Sequence, residues 1–148
     1  MTEVVWDYPS PSVLEKCVGP DVIDGLQHVN NAAYVAWCEE VAWQHSEFLG
    51  VSLEDYQELD RAMAIRHSEY DYILSAYEGE KLLIGTWLMA SDGRLSMERR
   101  FQIVRASDGA VLLRGKWQLV CIEISSGKPR RMPKAFLEAY TPAVVSVQ

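Results

Sequence analysis

Between Asp24 and Glu40 the chain reads DGLQHVNNAAYVAWCEE, and this stretch holds most of the residues able to do chemistry. Asp24 and His28 place a carboxylate and an imidazole in one polar loop, the residue types from which acid–base chemistry is assembled. Asn30 and Asn31 follow, and either side chain can cap the free N–H groups of a first helical turn. Glu39 lies further on, with Val35 and Trp43 as its i−4 and i+4 neighbours. A carboxylate on an apolar side is either paired with a partner or functional. Grouping such polar residues at the mouth of a buried helix costs free energy unless they are satisfied or used. Ordinary structural roles compete with each: Asp24 before Gly25 is also a turn signature, and His28 also suits a loop-packing hydrogen-bonding residue. Asp21, Asp24 and His28 are metal-ligand types, but no second His is placed to join them, so no metal is expected. His45 and His67 have no partner motif and read as packing or surface residues.

The elements that must position these residues follow from periodicity. From Asn30 to Leu49 the only polar stripe at helical spacing is Glu40, Gln44 and Glu47, so the spacing predicts a long helix buried in a core, stopped at Gly50. Before it, residues 1–12 read as an extended arm that Trp6 and Tyr8 can anchor, and Ser12–Val18 as a short first strand. Ser52 and Asp55 have capping-box spacing, which predicts a second short helix to about Leu59. Thereafter the pattern is that of strands: Ala64–Leu74, Lys81–Ala90, Leu95–Arg105 and Val111–Ile124, separated by Gly-containing turns. Lys81–Ala90 is apolar throughout and suits a central strand covered on both faces. Leu95, Met97, Phe101 and Ile103 share one face, as do Leu113, Trp117, Leu119 and Cys121. Lys134–Tyr140 closes the chain as a short helix. A meander of four strands has one apolar face to cover, and the Asn30–Leu49 helix is the only element apolar enough to cover it. The expected fold class is therefore α+β, an antiparallel β-sheet wrapped around a long central helix, the hotdog architecture, with residues 1–148 as one domain.

Composition narrows the function classes. The 148 residues are 49% hydrophobic, enough for one real core. A formal charge of −7 argues against nucleic-acid binding, so an anionic ligand would need local cationic patches. Two are visible, Arg99-Arg100 and Lys128-Pro129-Arg130-Arg131 with Lys134 nearby, each equally readable as solvated strand-end charge. Cys17, Cys38 and Cys121 are dispersed and odd in number, which reads as reduced thiols and a cytoplasmic setting. The acidic, Pro-broken N-terminus is unlike a signal peptide, and no stretch approaches membrane-spanning length. There is no Gly-x-Ser-x-Gly elbow, phosphate loop or dinucleotide glycine pattern.

The segment Asp24-Gly25-Leu26-Gln27-His28-Val29-Asn30-Asn31, with Tyr34, Trp37 and Glu39-Glu40, resembles the signature of the 4-hydroxybenzoyl-CoA thioesterase-like branch of hotdog proteins. SEYDYILSAYEGEKLLIGTW resembles that branch's second and third strands, and SSGKPRRMP its last-strand exit, so the likeness spans roughly residues 13–138. Two departures stand out: Gln27 occupies a position where the pattern usually has Gly, and Val22 one where many members have the first Asp of an Asp-x-Asp pair. Some members carry His or Tyr at the position of Asn31. The resemblance implies Asp24 as nucleophile or general base, a backbone N–H at Asn31 polarising a thioester oxygen, and His28 orienting the carboxylate or relaying a proton. It leaves Glu39 as a buried structural acid or a second catalytic carboxylate. It also implies an acyl-CoA thioesterase without metal or bound cofactor, coenzyme A entering as part of the substrate, with Arg99, Arg100, Lys128, Arg130 and Arg131 as candidates for its phosphates. The implied assembly is a homodimer or homotetramer with the site at the subunit boundary. An acyl-carrier-protein thioesterase, a hotdog dehydratase and a non-catalytic acyl binder are the alternatives.

Overall fold

The computed structural model describes residues 3–145. Five strands form one sheet, β1 (Ser12–Cys17), β2 (Arg61–Tyr72), β3 (Lys81–Met89), β4 (Ser96–Arg105) and β5 (Val111–Glu123). The helices are α1 (Asn31–Phe48), α2 (Leu53–Leu59) and α3 (Lys134–Tyr140), with single 3₁₀ turns at Pro20–Val22 and Thr141–Ala143. The sheet order is β1-β3-β4-β5-β2 and every pairing is antiparallel. This is the hotdog architecture, with α1 lying against one face of the curled sheet.

The local signals act as expected. The Ser52 side chain accepts from Asp55 N while the Asp55 carboxylate accepts from Ser52 N, which starts α2. Gly50 follows α1 at φ +100°, a conformation that costs an L side chain strain. Asp60 ends α2 in the left-handed region and anchors the chain beyond β5 by accepting from Ser125 N at 2.9 Å and Ser125 Oγ at 2.6 Å. With that junction closed, β2 starts at Arg61 without a loop, three residues earlier than the alternation predicts.

The connectivity differs from a four-strand meander. Only β3–β4–β5 is one; β2 pairs beyond β5 at the far edge. The β2–β3 connection is therefore a crossing segment rather than a tight turn. Ile73 N and Leu74 N donate to Leu112 O, Val29 N donates to Ala76 O, and Gly79 N donates to Val18 O, so the segment passes from β5 over the start of α1 to β1.

The core lies between α1 and the inner sheet face, where Leu82, Ile84, Ile103 and Leu113 are completely buried. From α1 come Tyr34, Trp37, Cys38, Val41 and Ala42. The helix is not surrounded, contrary to the sequence expectation: Ala32, Ala36, Glu39, Trp43 and Phe48 are exposed along with the polar stripe. A single five-stranded sheet covers only one side of a helix, and the alanines carry too little apolar area to compel burial. Lys16 pairs with Glu40 at 2.8 Å and ties that polar stripe to β1. On the outer face the N-terminal arm covers β3. Trp6 and Tyr8 meet Trp87 edge-on at 6.0 and 5.3 Å, and Gly85 leaves the space that Trp6 fills, since a Cβ there would sit 2.6 Å from its ring. Gln102, fully buried, accepts from Asp7 N and donates to Val5 O, so the arm satisfies an amide that would otherwise be costly.

Candidate active site

The Asp24 loop is closed by its own backbone. Ile23 and Val29 form an antiparallel bridge, Asp24 N donates to His28 O at 2.8 Å, and Gln27 N donates to Asp24 O at 3.1 Å. Gln27 sits at φ +66°, the left-handed region, which explains why the related pattern favours Gly at this position. Asp24 is half-buried. Its Oδ1 accepts from Leu26 N at 2.8 Å, whereas Oδ2 has no hydrogen-bond partner among the described residues. One oxygen is thus fixed and the other is free to act.

α1 begins immediately behind this loop. Asn30, not Asn31, is the N-cap: its Oδ1 accepts from Ala33 N at 2.9 Å, and its Nδ2 donates to Val22 O at 3.1 Å. The second bond decides between the two asparagines, because only Asn30 lies where it can reach back across the loop. Asn31 becomes the first helical residue, with an exposed side chain. The N–H groups of Asn31 and Ala32 have no intrahelical acceptor, and the first turn carries no acidic residue to neutralise its partial positive charge.

Asp24, His28, Asn31, Tyr34, Tyr72 and Tyr77 line one cleft of about 550 Å³. His28 packs edge-on to Tyr77 with centroids 5.4 Å apart. Tyr34, which sequence reasoning used only as part of a motif, locks the opposite wall: its hydroxyl accepts from Ala76 N at 2.9 Å, and burial raises its pKa. The wall therefore comes from the β2–β3 crossing segment, far from Asp24 in sequence.

Glu39 is not part of this cleft. It lies eight residues along α1 from Asn31, about 12 Å at the helical rise. It is exposed, with no hydrogen bond or ion pair among the described residues, so in the single chain it is not the buried acid expected from its apolar neighbours. It lines a second cavity, of about 260 Å³, together with Trp43, Ser46, Tyr56, Arg99 and Tyr140.

The cationic clusters separate as well. Arg99 and Arg100 are consecutive strand residues and point to opposite faces. Arg100 is partly exposed and pairs with Glu98 at 2.5 Å. Arg99 is 3% exposed and turned inward, so it cannot act as a surface cation. Its Nη1 donates to His45 Nδ1 at 3.0 Å and to Thr86 Oγ1 at 3.1 Å. Burial, then the Arg99 charge, lowers the His45 pKa from 6.5 to about 4, which keeps the ring a neutral acceptor. Lys128, Arg130 and Arg131 are exposed where the chain folds back along the end of β5, across that strand from the start of β2. The Asp24 cleft adjoins the other end of β2 at Tyr72, so within one chain these cations and Asp24 lie at opposite ends of a 12-residue strand. The Arg99–His45 pair escaped sequence reasoning, although Arg99 has the same strand parity as Met97 and Phe101.

Residues 18–140 match the family model described as the thioesterase-like superfamily. The chain belongs to that superfamily. Solved structures with the same fold include a 1,4-dihydroxy-2-naphthoyl-CoA thioesterase from Synechocystis, 20% identical over 89% of this chain and 96% of that one, with a TM-score of 0.80. A DHNA-CoA thioesterase from Staphylococcus aureus is 21% identical over 89% of each chain, with a TM-score of 0.80. A hypothetical protein from Staphylococcus aureus, characterised in complex with CoA, is 13% identical over 97% of this chain and 92% of that one, with a TM-score of 0.82. No curated protein matches the sequence. For this thioesterase-like chain, no helix among the described residues is long and apolar enough to cross a membrane, and no group of three or more metal-ligating side chains occurs among them.

Proposed function

We propose that this member of the thioesterase-like superfamily hydrolyses acyl-CoA thioesters to a free acid and CoA, with Asp24 as the catalytic carboxylate. The observation that carries the reading is one half-buried carboxylate with a free Oδ2, held in the same cleft as the unpaired N–H groups that open α1. A thioester carbonyl placed there directs its oxygen at the N–H groups of Asn31 and Ala32, where charge developing on that oxygen is stabilised. Oδ2 then either takes a proton from an attacking water or attacks the carbonyl carbon itself. In the first route the tetrahedral intermediate collapses, the C–S bond breaks and the CoA sulfur leaves as a thiolate that takes up the proton. In the second an acyl-aspartyl anhydride forms with loss of the thiolate, and water cleaves it to restore Asp24. His28, in the same cleft, relays or steadies the proton.

The CoA portion needs cations. β2 is a sheet edge whose middle, from Ile65 to Glu69, is exposed, and edges of this kind are normally paired or covered. A two-fold homodimer pairing β2 with itself antiparallel lays the start of one β2 beside the end of the other. That arrangement carries the partner copy's Lys128–Arg131 segment towards this chain's Asp24 cleft, where it would neutralise CoA phosphates. Light scattering should then report a mass at or above twice 16.8 kDa. A solely monomeric species would remove the cations from the site.

The reading is tested by following free-thiol release from a panel of acyl-CoA and acyl-carrier-protein thioesters. Turnover of acyl-CoA supports it. Affinity for acyl-CoA without turnover would make the protein a binder instead.

A further inference from the structure

The second cavity lies between the C-terminal half of α1 and the inner face of the sheet. Ala42, Trp43, Met63, Met97, Trp117 and Leu119 give it an apolar wall. At its inner end lies a buried guanidinium. Arg99 is 3% exposed, and both of its hydrogen bonds use Nη1 alone. Among the described residues Nε and Nη2 have no partner, and no carboxylate of those residues lies within ion-pair distance of this side chain. His45 is held neutral and offers only a lone pair, so it leaves the charge uncompensated.

The neighbouring hydroxyls add a donor. Tyr140 O–H donates to Ser46 Oγ at 3.1 Å, so the 2.8 Å bond between the Tyr56 and Tyr140 hydroxyls must run from Tyr56. The chain of donors ends on Ser46, whose own hydroxyl hydrogen is left to donate, and Ser46 lines the cavity beside Arg99. A buried cation with two open donor nitrogens and an adjacent hydroxyl is matched by a carboxylate, which accepts in bidentate fashion from guanidinium. Glu39 lines the same cavity seven residues before Ser46, about 10 Å along the helix, and would repel an anion at its own end. The favourable position for a negative group is therefore the Arg99 end.

We propose that this cavity receives the acyl group of the substrate and that Arg99, with Ser46, binds a carboxylate at the end of that group remote from the thioester. This rests on the thioesterase reading and names its substrate class: CoA thioesters of dicarboxylic acids, aliphatic or aromatic. The volume suits it, because a cavity of about 150 Å³ admits benzene, and about 260 Å³ leaves room for a ring or six-carbon chain together with its acid group. Met63 and Ile65 of β2 line the cavity, so in the β2-paired homodimer it adjoins the end of the partner's β2 and with it the partner's Asp24 cleft.

The test compares three substrates of equal acyl length: adipoyl-CoA, its terminal carboxamide and hexanoyl-CoA. Wild-type protein should favour the diacid over both neutral substrates in kcat/KM by about 10- to 100-fold. Arg99→Met should bring the ratio of kcat/KM for adipoyl-CoA to that for hexanoyl-CoA, measured within the variant, down to about one, and Arg99→Lys should retain part of the wild-type ratio. Should Arg99→Met fail to fold, the wild-type comparison decides alone. Binding of the free acids is measured in parallel by thermal shift, with adipate expected to raise Tm more than hexanoate. Thiol release with no preference for the diacid overturns the carboxylate site and leaves the thioesterase reading standing. Selective, Arg99-dependent binding of adipate without thiol release from any thioester does the reverse.

Discussion

Replacing Asp24 by Asn separates chemistry from architecture at the proposed site. The loop is held by backbone bonds, Asp24 N to His28 O and Gln27 N to Asp24 O, which the substitution leaves alone. The one side-chain bond, from Leu26 N to Oδ1, can be accepted equally by an amide oxygen. The stability cost should fall within the ±0.5 kcal/mol or so typical of substitutions that break no buried contact, which is a Tm shift of no more than about 2 °C for a domain of this size. Catalysis should respond differently, because the amide nitrogen now in place of Oδ2 can neither attack a carbonyl nor take a proton from water. Loss of a positioned base is worth about 10²–10⁴ in rate, equivalent to about 3–5 kcal/mol of activation free energy. The expected result is therefore thiol release slowed at least about a hundredfold, with KM and Tm nearly unchanged. Glu39→Gln should lower activity less. Near-native turnover in Asp24→Asn together with its loss in Glu39→Gln would refute the assignment and move the chemistry to the second cavity.

The N-cap assignment predicts an asymmetry: Asn30→Ala should cost about 1–2 kcal/mol in urea unfolding, whereas Asn31→Ala should stay within about 0.5 kcal/mol. Neutralising Arg130 and Arg131 together should raise KM for acyl-CoA and leave kcat nearly unchanged, the pattern of lost uniform binding, and an unchanged KM with no salt sensitivity would place the CoA phosphates elsewhere. His45 has a folded pKa lowered from 6.5 to about 4, so its contribution is present above pH 6.5 and is lost as pH falls through that window, because the unfolded state then binds a proton the folded state refuses. The unfolding midpoint of wild type should consequently drop more steeply between pH 6.5 and 4 than that of His45→Gln, whose amide oxygen still accepts from Arg99, and parallel curves would contradict the buried neutral ring.

Much of this molecule was legible before any coordinates, where the determinants are local. Ser52 and Asp55 start α2 by a bond pattern written within four residues, and α3 has the bounds its apolar spacing implies, Lys134–Tyr140. Alternation assigned Met97, Phe101, Leu113 and Trp117 to one face, and they line the core under α1. The grouping of Asp24, His28 and Asn31 was legible too, because a tight loop running into a helix N-terminus leaves them little freedom to separate.

Tertiary structure decided what depends on distant partners. Alternation tells which way a side chain points and not which strand lies alongside, so the placement of β2 beyond β5, and with it the crossing segment that walls the Asp24 cleft, was not in the pattern. The choice of Asn30 over Asn31 as cap required Val22 O to stand within reach of Nδ2. Which side of α1 is covered depended on how far one sheet can wrap a helix. Arg99 shows the limit most clearly: its parity marked it as inward, yet a guanidinium reads as surface until its partners are known. Those partners are His45, 54 residues away on α1, and Thr86 on β3, and the hydroxyl chain beside it joins Tyr56 to Tyr140 across 84 residues. A buried charge is tolerated only where separate elements converge to meet it, and that convergence is a property of the packed fold.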